Sequence, residues 1–115
     1  MAAADQPQYL YLTTTGRKSG KPHQIEIWFV ERAGRYYLIH EGETRGDWER
    51  NIAHDPNVIV HVGSREAPPI EATGRAVNPA TEPELMAAVK ALMDAKYQWS
   101  DGSITELTPT HEKSS

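Results

Sequence analysis

The sequence predicts a mainly β, α+β domain: an antiparallel sheet or small barrel of about six strands, with one short connecting helix and one longer helix. Three observations carry this. Segments of two-residue alternation dominate the first forty residues. Turn signals separate those segments by only a few residues, too few for a crossover helix. The two stretches with helical spacing fall late and apart, so no regular strand-helix-strand repeat exists.

Tyr9 to Thr15 reads Tyr-Leu-Tyr-Leu-Thr-Thr-Thr, aromatic and β-branched in alternation until Gly16 stops it, and is the first strand. His23 to Glu31 sets Ile25, Ile27 and Phe29 on one face and Gln24, Glu26, Trp28 and Val30 on the other. Ala33-Gly34 supplies the turn into a third strand, Arg35 to Glu41, which makes a hairpin with the second. Thr44 to His54 changes period. Thr44 or Asp47 can cap a short helix, Trp48, Asn51 and Ile52 share a face, and Pro56 ends it. Val58 to Val62 is a fourth strand, and Ile70 to Val77, after Pro68-Pro69, a weaker fifth. Thr81 and Glu84 match a capping box for the longest helix, whose stripe is Leu85, Val89, Leu92 and Met93 and whose end falls near Trp99. Ser103 to Thr108 alternates poorly but can close the sheet through Ile104 and Leu107.

The 115 residues suit one domain, with residues 1–8 and 109–115 read as fraying tails. With no Cys, disulfides, thiolate metal sites and cysteine nucleophiles are all excluded. His23, His40, His54, His61 and His111 show no metal-ligand spacing, so no metal is expected. The first residues do not read as a signal peptide, and no apolar run approaches the roughly 18 residues of a membrane span, so the expected address is the cytoplasm. The net charge of −4 argues against a general nucleic-acid binder. That charge is uneven: the first 25 residues are net +2 and the remainder −6.

The positive end is concentrated in Gly16-Arg17-Lys18-Ser19-Gly20-Lys21, which joins two strands. Flexible glycines, a hydroxyl and three cations can converge on an anion there. The spacing is not that of a Walker A loop, because Pro22 follows Lys21 and a strand follows the turn. A soluble hairpin turn would also use these residue types. Trp48 and Asn51, three apart on the short helix, offer an indole and a carboxamide on one side, either lining a pocket or packing the core. His40-Glu41-Gly42 sets a possible acid–base pair beside a glycine, although adjacent strand residues face opposite ways and a cap or surface role fits His40 and Glu41 better. Tyr97 and Trp99 can wall a pocket or cover a barrel end. Trp28, Tyr36 and Tyr37 have the potential to form an exposed aromatic dimer surface, and a homodimer is possible.

Taken together, Leu12 to Pro22, then Ile27-Trp28-Phe29, then Trp48, Asn51 and Asp55-Pro56-Asn57-Val58 closely resemble the deazaflavin-dependent nitroreductase family. The likeness runs from about Tyr11 to Val77, with an echo at Trp99-Ser100-Asp101. It implies a split β-barrel that binds coenzyme F420, or less often FMN, and passes hydride to a small organic acceptor such as a quinone, an enone or a nitro compound. By position, Arg17, Lys18 and Ser19, with Gly16 and His23, would hold the phosphate and acidic tail. Glu26, Ile27 and Trp28 would flank the deazaflavin. Trp48 and Asn51 would line the same groove, and Glu41 and Gly42 complete the cofactor-binding set. His23 and Glu26 depart from the family pattern, and the tyrosine wall of nitroreductive members is matched only by Tyr97, with Met93 and Lys96 in the other places. No catalytic acid or base is assigned, because the chemistry is the cofactor's. The alternative is a non-catalytic protein that sequesters a flavin, a deazaflavin or haem.

Overall fold

The computed structural model describes residues 8–40, 47–100 and 102–110. Its element order is β1 (Tyr9–Thr15), β2 (Pro22–Arg32), β3 (Arg35–His40), α1 (Asp47–His54), β4 (Asn57–Val62), β5 (Ile70–Ala76), α2 (Pro83–Tyr97) and β6 (Ser103–Pro109). The six strands close into an antiparallel barrel in the order β1-β2-β3-β6-β5-β4, with β4 returning to β1. Closure leaves no free sheet edge.

Alternation on β1 and β2 decides which side chains enter the barrel. Leu10, Leu12 and Phe29 join Leu38, Ile52, Val58, Val60, Ala72 and Leu107 in one buried cluster. α1 closes one end, packed on β1 and β5. Its seat requires Gly74, where an added Cβ would lie 3.1 Å from both Ile52 Cγ2 and Leu107 Cδ2. A second cluster lies outside the barrel under α2, formed by Val30, Tyr37, Ile39, Val77, Met86, Val89, Met93 and Ile104. The two clusters explain the poor alternation of β6, whose residues Ile104 to Leu107 are all buried because one face meets the interior and the other meets α2.

β2 is the longest strand and changes partner along its length. Pro22 to Trp28 pairs with β1, and Phe29 to Arg32 pairs with β3. The β2–β3 hairpin turns through Ala33 and Gly34, both at positive φ (54° and 79°), the left-handed pair that a two-residue turn between twisted strands needs.

Several sequence expectations require correction. α2 has no Thr81–Glu84 capping box: Pro83 opens the helix, Glu82 is the N-cap residue, and no side chain caps it. Thr81 is instead held in a turn by the Asn78 carbonyl, through both its N–H and its hydroxyl. Of the expected stripe, Val89 and Met93 are buried and Leu85 is half-buried against the same cluster, but Met86 takes the place of Leu92, which is exposed. α2 ends at Tyr97, with Gln98 left-handed and its N–H on the Asp94 carbonyl, two residues before the expected end. Tyr37 is buried under α2 and Tyr36 is half-buried, so they provide no exposed aromatic surface. Thr44, Glu41 and Gly42 lie outside the described residues.

Candidate cofactor site

The basic turn joins β1 to β2 and is closed by two backbone bonds, Gly16 N–H to the Lys21 carbonyl and Gly20 N–H to the Gly16 carbonyl, each 2.8 Å. The Ser19 hydroxyl accepts the Lys21 N–H at 3.1 Å and lies 3.5 Å from His23 Nε2. Gly16 is where this packing demands a missing side chain: an added Cβ would fall 2.6 Å from His23 Nε2 and 2.7 Å from Ser19 Oγ. Lys18 and Lys21 are exposed. Arg17 is not merely solvated, because its N–H and its Nη1 both donate to Asn51 Oδ1, at 3.2 and 2.9 Å. Asn51 Nδ2 in turn donates to Thr14 Oγ1 at 3.1 Å. The structure therefore joins Arg17 directly to Asn51, a hydrogen-bonded pairing 34 residues apart that local spacing does not predict.

Six residues along the β1–β2 ladder, an aromatic cavity of about 420 Å³ is lined by Tyr9, Glu26, Ile27, Trp28, Ile39 and Trp99. Three expected ring-flanking residues, Glu26, Ile27 and Trp28, thus share one cavity. The Trp28 indole lies flat on Tyr97, with ring centroids 4.3 Å apart at an interplanar angle of 3°, and meets Trp99 edge-on at 6.2 Å. The Tyr97 hydroxyl sits where β2 leaves β1. It accepts the Phe29 N–H at 3.0 Å and lies 2.9 Å from the Phe29 carbonyl and 2.6 Å from the Gln8 carbonyl. Burial pushes the Tyr97 phenol pKa up, so the group stays neutral in this wedge. Lys96 adds a bond from Nζ to the Phe29 carbonyl at 2.8 Å, and its ammonium lies 3.9 Å from the Phe29 ring centroid. Burial holds its pKa below that of an ordinary lysine. Glu26 accepts the Tyr11 hydroxyl at 3.0 Å, and this bond pushes the Tyr11 phenol pKa up, partly offset by Arg65 4.7 Å above the Tyr11 ring. None of this Tyr97, Lys96 and Tyr11 wiring was visible in the sequence, because it joins residues up to 89 positions apart.

Trp48 is buried in the barrel cluster, edge-to-face with the His40 ring at 6.0 Å. His40 Nε2 lies 3.9 Å from Glu49 Oε1, and the Ser103 hydroxyl donates to Glu49 Oε2 at 2.9 Å. Among the described residues no three His, Asp or Glu side chains are gathered to hold a metal, and no helix is long and apolar enough to cross a membrane.

A closed six-strand barrel with an anion-competent basic turn and an aromatic cavity on one strand defines a cofactor-binding split β-barrel. A family model described as F420H2-dependent quinone reductase matches residues 3–107. The chain belongs to that family and is an F420-dependent oxidoreductase. Solved structures share the fold. They include the haem storage protein HutZ of Vibrio cholerae, at 19% identity over 96% of this chain and 87% of that one, with TM-score 0.74. A structure titled F420-H2 dependent reductase (FDR-A) is 23% identical over 87% and 93% of the two chains, with TM-score 0.61. One titled domain-swapped dimer is 20% identical over 89% and 81%, also with TM-score 0.61. No curated protein sequence matches.

The residues present suit the cofactor. The turn offers cations and the Ser19 hydroxyl for an anionic tail, and the missing side chain at Gly16 lets Ser19 and His23 pack against the turn. The aromatic walls suit a planar ring.

Proposed function

We propose that the chain binds reduced F420 with its anionic tail on Gly16, Arg17, Lys18, Ser19 and His23 and its ring along Glu26, Ile27 and Trp28, and that it reduces a quinone, an enone or a nitro compound. On the family resemblance Glu41 and Gly42 belong to the same site, with Asn51 joined to it through Arg17 and Trp48 packed behind it in the barrel cluster. The observation that carries the reading is that β2 runs directly from the basic turn to the aromatic cavity. Pro22 and Glu26 stand four residues apart on it, about 13 Å, a span that a tail and a ring can bridge together.

When bound, the cofactor supplies the hydride. The protein's share is positional. Lys18 and Lys21 attract the tail and Arg17 meets it with a planar fork, while Ser19 and His23 can donate to its oxygens. Trp28, fixed flat on Tyr97, gives the ring a rigid wall, and Trp99 and Tyr9 limit water at its edge. The Tyr97 hydroxyl is occupied by β2 backbone, so it is a support for the wall and no proton source for a substrate. A hydride donor must be re-reduced after each turnover, and the reading therefore places the enzyme in the cytoplasm. A homodimer, as in the domain-swapped relative, fits the open outer face of the cavity.

Fluorescence titration of the purified chain with F420 and FMN tests the reading. F420 is expected to bind at micromolar concentrations, and Lys18→Ala to weaken it by about tenfold, one charge-assisted contact's worth, without lowering the melting point. Absence of binding at tens of micromolar would overturn it. Turnover then separates catalysis from sequestration: a bound, reduced cofactor that stays reduced before quinones, enones and nitroaromatics marks a binding protein.

A further inference from the structure

We infer that Asn51 is a positioning residue that fixes Arg17 for the anion and does not itself touch the ligand, an inference that rests on the cofactor reading above. The carboxamide is buried, and three of its four hydrogen-bonding positions are engaged within the protein. Oδ1 has two lone pairs, and both are taken by Arg17, one by the backbone N–H at 3.2 Å and one by Nη1 at 2.9 Å. Nδ2 faces the other way, onto Thr14 Oγ1, and Thr14 is itself buried at the end of β1.

One side chain of α1 therefore ties together the end of β1, the backbone of the basic turn and the head of its arginine. A guanidinium on a free stem must give up rotamer freedom when it meets an anion, an entropy cost that a docked guanidinium has already met in folding. Holding the same residue by N–H and by Nη1 on a single oxygen sets the stem direction as well as the head. The short helix thus acts on the cradle from behind, which accounts for a polar residue at a buried α1 position beside Trp48 and Ile52.

The test uses the full chain as wild type, Asn51→Ala, Asn51→Asp, Arg17→Ala and the Asn51→Ala/Arg17→Ala double variant. Three quantities are read: amide hydrogen exchange at Arg17, melting point, and F420 affinity across ionic strength. In Asn51→Ala the Arg17 amide should exchange about tenfold faster, as one lost hydrogen bond allows, and F420 should bind about tenfold more weakly. In the double variant the loss should match Arg17→Ala alone, because the two residues form one unit. Asn51→Asp is the discriminating change. Its carboxylate can accept both Arg17 donors and the Thr14 hydroxyl, so exchange protection and melting point should return. The guanidinium is then neutralised locally, so affinity should stay as low as in Arg17→Ala and its salt dependence should flatten.

Multiplying losses in the double variant would mean that Asn51 contacts the ligand and would overturn the inference. Unchanged Arg17 exchange in Asn51→Ala would overturn it too. A wild type that binds no F420 defeats the cofactor reading instead, and the exchange measurement, which needs no ligand, still decides whether Asn51 fixes Arg17.

Discussion

Gly16→Ala separates the basic turn's role in binding from its role in folding. The added methyl would sit 2.6 Å from His23 Nε2, 2.8 Å from His23 Cδ2 and 2.7 Å from Ser19 Oγ. Unstrained contacts of this kind lie near 3.5 Å or beyond, so both side chains must retreat by about 1 Å. Both residues are exposed and both can rotate away, leaving the backbone of the turn in place. The stability cost should therefore be near the low end for overpacking, about 1 kcal/mol, or about 4 °C in melting point for a chain of this size. Binding should suffer more, because the groups driven out are the hydroxyl and the imidazole proposed to hold the anion; a loss of about tenfold in F420 affinity is expected, equivalent to about 1.4 kcal/mol. Gly102→Ala is the matched control. There the methyl would collide with the His40 carbonyl oxygen and lie 3.0 Å from its carbon, backbone atoms that cannot rotate aside. That variant should lose about 3 kcal/mol or more, the upper end of overpacking. Thermal melts and fluorescence titrations of both variants provide the assay. If Gly16→Ala keeps wild-type affinity, or melts as low as Gly102→Ala, the account of the cradle is wrong.

Two further outcomes follow from side chains outside the turn. Tyr97→Phe keeps the ring on Trp28 but leaves the Phe29 N–H without its acceptor, so it should cost about 1–3 kcal/mol and shift tryptophan emission; a melting point within 1 °C of wild type, far inside the change that energy implies, would refute the wedge. Glu82 is held by Arg75 through two bonds of 2.7 and 2.8 Å, and this cation keeps its pKa below the usual carboxylate value. Its stabilisation should be complete above about pH 4.3, the unfolded value, and should fade as pH falls through the lowered folded value. The melting-point gap between wild type and Glu82→Gln should accordingly be constant from neutral pH down to that point and shrink below it. A gap that does not change with pH would show that the Arg75 pair contributes nothing.

The strands of the first half were legible because local rules and tertiary packing agree there. Tyr9 to Thr15 alternates cleanly and Gly16 must end it, and Ala33-Gly34 is a turn on chemistry alone. α2 was harder for an equally physical reason. Leu85, Leu92, Met86 and Met93 are all apolar, so the sequence allows more than one stripe, and only the shape of the β2–β3–β6 surface selects Met86, Val89 and Met93. Its expected capping box failed because Asn78 offers Thr81 a nearer partner, while Arg75 draws the Glu82 carboxylate away from the helix end.

The candidate site was legible as two separate patches, and the register joins them. Tyr9 stands opposite Trp28, Tyr11 opposite Glu26, and Thr15 opposite Pro22. A slip of one residue would turn Glu26 and Trp28 into the barrel and send Ile25 and Ile27 outward, with the charge buried and the cavity lost. The same register brings the end of β2's run beside β1 to Trp28, so that Phe29 has its backbone groups free for Tyr97. The strand that must leave one partner for another thus creates the opening into which α2 inserts its tyrosine, and the ring of that tyrosine fixes the cavity wall. Barrel splitting and site construction are one event in this chain, and a substitution that repaired the ladder at Phe29 would be expected to release Trp28.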